Sequence, residues 1–268
     1  MISGISGQMT AWPDKFIQMI MEDFYVIVFD NRDVGLSSYY DHLTSLSTMD
    51  VITKLKQGEV PDAPYTLHDM AEDTVVLMDN FNIQSAHICG VSMGGQIAQV
   101  LALDYPEKVL SLALLITSPG DYDLPPPEQK VMDYFFNASS VHINVESAVQ
   151  KHLEQYKIYN HPDDYALDEV EKLYYEAYKR SYHPEGVQRQ LIAMLVAKPR
   201  GKALEALQVP TVIIQGGCDP VFSIEHGERL HQSIKGSKLF IIPNMGHGLP
   251  ARVFALISKY MSHLICIE

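Results

Sequence analysis

Short apolar runs rich in β-branched residues recur along this chain, and stretches of helical periodicity separate most of them. The runs are FYVIVFD (24–30), SAHICG (85–90), VLSLALLIT (109–117), PTVIIQ (210–215) and KLFIIP (238–243). Continuous apolar runs of this length suit strands buried on both faces, the pattern of a parallel sheet. Helices are expected at 13–23, where Pro13 suits a first turn, and at 67–80, behind the capping-box pattern Thr66-x-x-Asp69. Further helices are expected at 93–105, 223–235 and 250–264. This alternation dictates an α/β fold, a mostly parallel sheet with helices on both faces, and puts ligands beyond the carboxyl ends of the strands.

The alternation breaks once. After DLPPPEQK, helix-like stretches near 128–137, 145–158, 168–182 and 186–197 follow one another without a strand, and nine of the fifteen tyrosines lie from Tyr122 to Tyr182. The organisation read from this is a core of residues 1–118 and 200–268 carrying a helical lid insertion, 119–199. Its aromatics pack onto the core, and a few of them line a pocket. A chain of 268 residues is long enough for one such domain and too short for two full ones.

One junction in the alternation carries chemistry. In HICGVSMGGQIAQ (87–99) a single serine, Ser92, sits between Gly90 and Gly94 where a strand-like run becomes a helix-like one. A nucleophile on so tight a turn needs small neighbours two positions away, and the helix behind it aims free amides and a positive dipole end at the turn. The amide of Met93 would be one donor to an oxyanion. A serine hydroxyl is a weak nucleophile without a base, and the base needs a carboxylate to orient it. Asp219 follows the run 210–215 in GGCDP, and His247 follows 238–243 in NMGHGLP, so the chain order is Ser92, Asp219, His247. Singly, Asp-Pro is a common turn device and Gly-His-Gly an ordinary loop; the joint order and placement favour a triad. Asp121, after 109–117, is the alternative acid. Asp30, Arg32 and Asp33 in FDNRDVGLS read as a structural turn and ion-pair cluster near the site.

A net charge of −13 argues against affinity for nucleic acid or anionic membrane surfaces. Cys89, Cys218 and Cys266 are odd in number and widely spaced, and none of the eleven histidines forms an H-x-x-x-H pair, so neither a disulfide framework nor a metal site is expected. No apolar run is long enough for a membrane span and the first residues do not look like a signal peptide, so the chain reads as cytoplasmic.

SGISGQMTAWP, FDNRDVGLS, GVSMGGQIAQ, GGCDP and NMGHG together resemble the α/β-hydrolase superfamily over essentially the whole chain. WPD, DNRDVG, SMG and GHGLP resemble, more narrowly, its esterase branch of aclacinomycin methylesterase-like proteins. The resemblance implies a serine esterase acting through an acyl-enzyme on small or short-chain neutral esters, without metal or organic cofactor. It aligns Ser3–Ser6 with the oxyanion loop, making the amide of Ile5 the second donor, with Ser3 where the family often has histidine. Leu249, Ile5 and Met93 are expected to line an apolar pocket. Family members begin with two antiparallel strands and a third leading into that loop; here the first two are missing and the third is reduced to about Met1–Ser3. Ile5 is therefore expected to be loosely anchored and turnover slow. The run 24–30 is expected near an exposed sheet edge that invites a homo-oligomer. The same triad also serves lactone, thioester or C–C bond hydrolysis and peracid formation, and a catalytically impaired binding member of the fold is the remaining alternative.

Overall fold

The strands β1 (Ala86–Val91), β2 (Val109–Leu115), β3 (Thr211–Gly216) and β4 (Lys238–Ile242) form one sheet in that order, every neighbouring pair parallel. The structure, a computed structural model, describes residues 1–43, 46–137, 144–262 and 264. Because side chains alternate across a strand, Leu112, Leu114 and Ile213 enter one apolar cluster while Ala113, Leu115, Val212 and Ile214 enter the other. The first face is covered by α3 (Leu67–Asn80), α4 (Met93–Asp104) and α10 (Ile224–Ser233). The second is covered by α1 (Asp14–Ile20) and α11 (Phe254–Ser262), through Phe16, Ile20, Phe254 and Ile257. Every residue of α4 from Met93 to Ala102 is buried, and the helix is apolar on most of its surface, with Gln99 bonded to Ser118 O and Arg200.

The run 24–30 departs from expectation. Residues 25–30 form no regular secondary structure and belong to no ladder. Their neighbour is the short run at the amino end, where the Met1 ammonium donates to the Ile27 carbonyl and Ile2 makes a single parallel bridge to Gly90. A strand is defined by its partners, and this one offers too few for a ladder. Two helices were not foreseen. In α2 (Thr48–Lys56) only Val51 is fully buried and β-branched residues interrupt the pattern, and α9 (Gly201–Leu204) is too short to show a period.

Between β2 and β3 run α5 (Gln129–Asn137), α6 (Val145–Tyr159), α7 (Leu167–Arg180) and α8 (Pro184–Leu195). This segment leaves and rejoins the sheet at one place. The Arg200 amide donates to the Pro119 carbonyl (2.9 Å), and its buried guanidinium donates to Ser118 O, Lys198 O and Gln99 Oε1. Burial lowers the pKa of that guanidinium to about 10. Asp121 accepts from the Gly201 amide (3.0 Å) and from Arg229 (2.7 Å), closing the same junction.

Candidate active site

Ser92 stands between the end of β1 and the start of α4 with φ 54° and ψ −118°, backbone space that few side-chain-bearing residues occupy. The surroundings over-determine it. Its amide donates to Leu115 O (3.0 Å), and its carbonyl accepts from Thr117 Oγ1 (2.7 Å). A methyl group on Gly90 would lie 2.2 Å from Gly94 O, and one on Gly94 would lie 2.1 Å from Ile2 O. Both glycines are therefore imposed by close backbone approach around the turn.

The loops after β3 and β4 bring the other two residues to the serine. His247 Nε2 lies 2.9 Å from Ser92 Oγ, and His247 Nδ1 lies 2.8 Å from Asp219 Oδ2. Asp219 Oδ1 accepts from the Val221 and Phe222 amides (2.8 and 3.0 Å), and Oδ2 also accepts from Gln215 Nε2 (3.2 Å). A buried carboxylate holding this many donors keeps the imidazole proton on Nδ1 and leaves the Nε2 lone pair facing the hydroxyl. The ring is flanked edge-on by Phe222 (5.5 Å, 72°) and Tyr159 (5.8 Å, 87°). Gln215, Phe222 and Tyr159 carry no sequence signal, since only the fold brings them here.

Over the serine lies the loop from Ser3 to Gln8, with Gly4 close enough that a methyl there would sit 3.3 Å from Ser92 Cβ. The expectation that this loop frays is corrected. Ile2 bonds β1 on both sides (Ile2 N to Cys89 O, 2.8 Å; Val91 N to Ile2 O, 3.1 Å), and Asn31 Nδ2 donates to Ser3 O (3.0 Å). The Ser6 amide donates to Gln190 Oε1 on α8, and Gln8 Nε2 donates to Ala177 O and Ser181 O at the end of α7. Met93 is fully buried at the first position of α4, where an amide has no carbonyl of its own helix to bond.

The turn 30–33 is an ion-pair cluster that fastens α7 and α8. Asp30 accepts from Arg180 (2.7 Å) and from the Met9 and Leu36 amides; Asp33, with no exposed surface, accepts two bonds from Arg189 (2.7 and 2.8 Å) and one from the Tyr40 amide. Burial alone would raise both carboxyls, but these donors hold them below the ordinary range. Arg32 turns the other way, to Asp73 on α3. Asp33, Asp41 and His183 stand near enough together to hold a cation, and the Arg189 guanidinium already lies against all three. Asp121 is engaged at the junction described above. Another serine–histidine contact, Ser118 with His226 Nδ1 (2.8 Å), is buried beside that junction, and burial lowers the pKa of His226.

A cavity of about 1300 Å³ opens beside the loop, lined by Ile5 and Gln8, by α2, and by aromatic side chains including Tyr122, Tyr174 and Tyr178. Leu249 is not among its lining residues; it packs against the apolar cluster of α1 and α11.

A family model described as the alpha/beta hydrolase fold matches residues 1–250. Rhodomycin D methylesterase DauP of Streptomyces sp. (strain C5) is 26% identical over 275 residues, covering 94% of this chain and 85% of that protein. The putative carbamate hydrolase RutD of Caulobacter sp. (strain K31) is 23% identical over 248 residues, covering 92% and 82%. Among solved structures, the meta-cleavage product hydrolase CumD of Pseudomonas fluorescens IP01 superposes with a TM-score of 0.75 at 18% identity, covering 99% of this chain and 89% of that one.

Proposed function

The chain belongs to the alpha/beta hydrolase fold family, and from that premise we propose that it is a serine carboxylic ester hydrolase working through an acyl-enzyme. The observation that carries this reading is the hydrogen-bonded chain Ser92–His247–Asp219 ending at a strained serine. Ser92 Oγ attacks the ester carbonyl carbon while its proton passes to His247 Nε2, and Asp219 stabilises the resulting imidazolium. The amides of Met93 and Ile5 hold the oxyanion. As the tetrahedral adduct collapses, His247 returns the proton to the departing alcohol and the acyl group stays on Ser92. Water then attacks the acyl carbon as its proton passes to His247; the bond from that carbon to Ser92 Oγ breaks, His247 returns the proton to Oγ, and the acid leaves the free serine.

The cavity bears on the substrate. At about 1300 Å³ it exceeds the 300–1,000 Å³ usual for ligand pockets and is far larger than a short-chain ester fills. Ser92, Asp219 and His247 do not line it, but the loop over the serine does, through Ile5 to Gln8; together with the similarity to a methylesterase, this favours the ester of a small alcohol with a bulky, uncharged, largely apolar acid. The segment α5–α8 then acts as a cap over that acid. Testing the reading calls for methyl and p-nitrophenyl esters of graded acyl size, with lactone and diketone substrates alongside, given to wild type and Ser92→Ala. Ester turnover rising with acyl bulk and abolished in Ser92→Ala is the expected result. Ester turnover that persists in Ser92→Ala overturns it, and a preference for the lactone or diketone moves the same triad to another bond.

A further inference from the structure

Several contacts join the corner between α6 and α7 to the loop that carries His247 and the turn after it. The His247 main-chain amide donates to the Tyr159 carbonyl at 2.7 Å, where α6 ends. The Tyr159 ring stands edge-on to the imidazole. Asn160 is packed so closely that a methyl on Gly248 would lie 2.3 Å from its Oδ1, and a methyl on Gly246 would lie 2.2 Å from Tyr159 O. Just beyond the corner, Arg252 makes a two-pronged pair with Asp164 (2.6 and 2.9 Å), whose side chain is only 2% exposed. The corner is itself braced, since Tyr156 Oη donates to Asp164 O and Asn160 Nδ2 to Tyr156 O.

On its other side the histidine loop is held by the core. Cys218 N donates to Met245 O, and Phe222 stands against the ring. The loop is thus clamped between a core wall and a wall that belongs to the helical segment. The main-chain amide of His247 itself is bonded to α6 and not to the core. The partner that fixes it comes from α6.

We propose that the α6–α7 corner positions the general base: the Tyr159 carbonyl and the Asp164–Arg252 pair set the His247 imidazole in line with Ser92 and Asp219. Tyr159, Asp164 and Arg252 are positioning residues, acting through His247 and not on substrate. The proposal rests on the ester-hydrolase reading above, and it makes the helical segment part of the chemical machinery as well as a wall of the cavity. Displacing a reacting group by about 1 Å can cost 10²-fold in rate, so a loosened loop is expected to show in turnover before it shows in binding.

The experiment compares wild type, Asp164→Ala, Arg252→Ala, the double variant, and Gly246→Ala, whose added methyl pushes the corner away without removing the pair. Each is assayed for kcat and KM on a p-nitrophenyl ester, for the rate at which a fluorophosphonate labels Ser92, and for thermal unfolding. The expected result is kcat down by roughly ten-fold with KM within about two-fold, and labelling slowed by a similar factor. The double variant should be no slower than either single, as for two residues acting as one unit. Unchanged kcat and labelling in an active enzyme overturn the proposal and leave the ester reading standing, even if the melting temperature falls. A wild type that neither turns over esters nor takes the label overturns the ester reading itself, and the proposal with it.

Discussion

At the scale of single residues the site is held by geometry that leaves little freedom. Ser92 keeps a positive φ because both its backbone groups are bonded and Gly90 and Gly94 let strand and helix meet. Gly90→Ala is expected to give a chain that does not fold around the turn, measured as loss of soluble protein or of a cooperative thermal transition. Ile5→Pro deletes one amide and no side-chain hydrogen bond; kcat is expected to fall by about 10²- to 10³-fold while fluorophosphonate still labels Ser92 slowly. Ser92, Asp219 and His247 could be picked from the sequence because each follows an apolar strand-like run. The structure brings them within hydrogen-bonding reach. Gln215, Phe222 and Tyr159 could not be picked, because their relation to the site exists only once β3, the loop after it and α6 are packed together.

Among the elements, what pattern could predict depended on partners lying within the run itself. α3 and α6 were legible because their periodicity is local, and Thr66 with Asp69 forms the reciprocal cap that the sequence suggests for α3. The run 24–30 has strand-like residues but lacks ladder partners, which no local pattern reports. The helical segment is likewise anchored by long-range pairs. Asp33 and Arg189 are both buried and bonded twice, joining the turn after residues 24–30 to α8. Removing one member of a buried pair strands the other, so Arg189→Met is expected to destabilise the fold by about 3–5 kcal/mol, read from urea unfolding. The same variant frees Gln190 and Ser6 to shift with α8, so a loss of activity is expected at urea concentrations below the main transition.

For the molecule as a whole, the buried titratable groups set how it meets acid. His87 and His226 are held neutral by burial, their pKa values lowered, so the unfolded chain binds their protons first. Their contribution is full above the unfolded histidine value of about 6.5 and declines as pH falls below it. Asp30 and Asp33 have lowered values when folded, so their contribution is full above about 3.9, the value for a free aspartate, and is lost as pH falls through the folded values. A urea midpoint followed from pH 8 to 3 is expected to decline gently from about 6.5 and steeply below about 4, with the steep phase reduced in Asp33→Asn. No described helix is long and apolar enough to cross a membrane. The junction at Pro119, Asp121, Arg200 and Gly201 has a consequence of another kind. A polypeptide that departs and returns through one doorway can be swapped as a cassette, so descendants of this scaffold are free to trade one guest-room for another, provided each newcomer brings its own brace for the histidine.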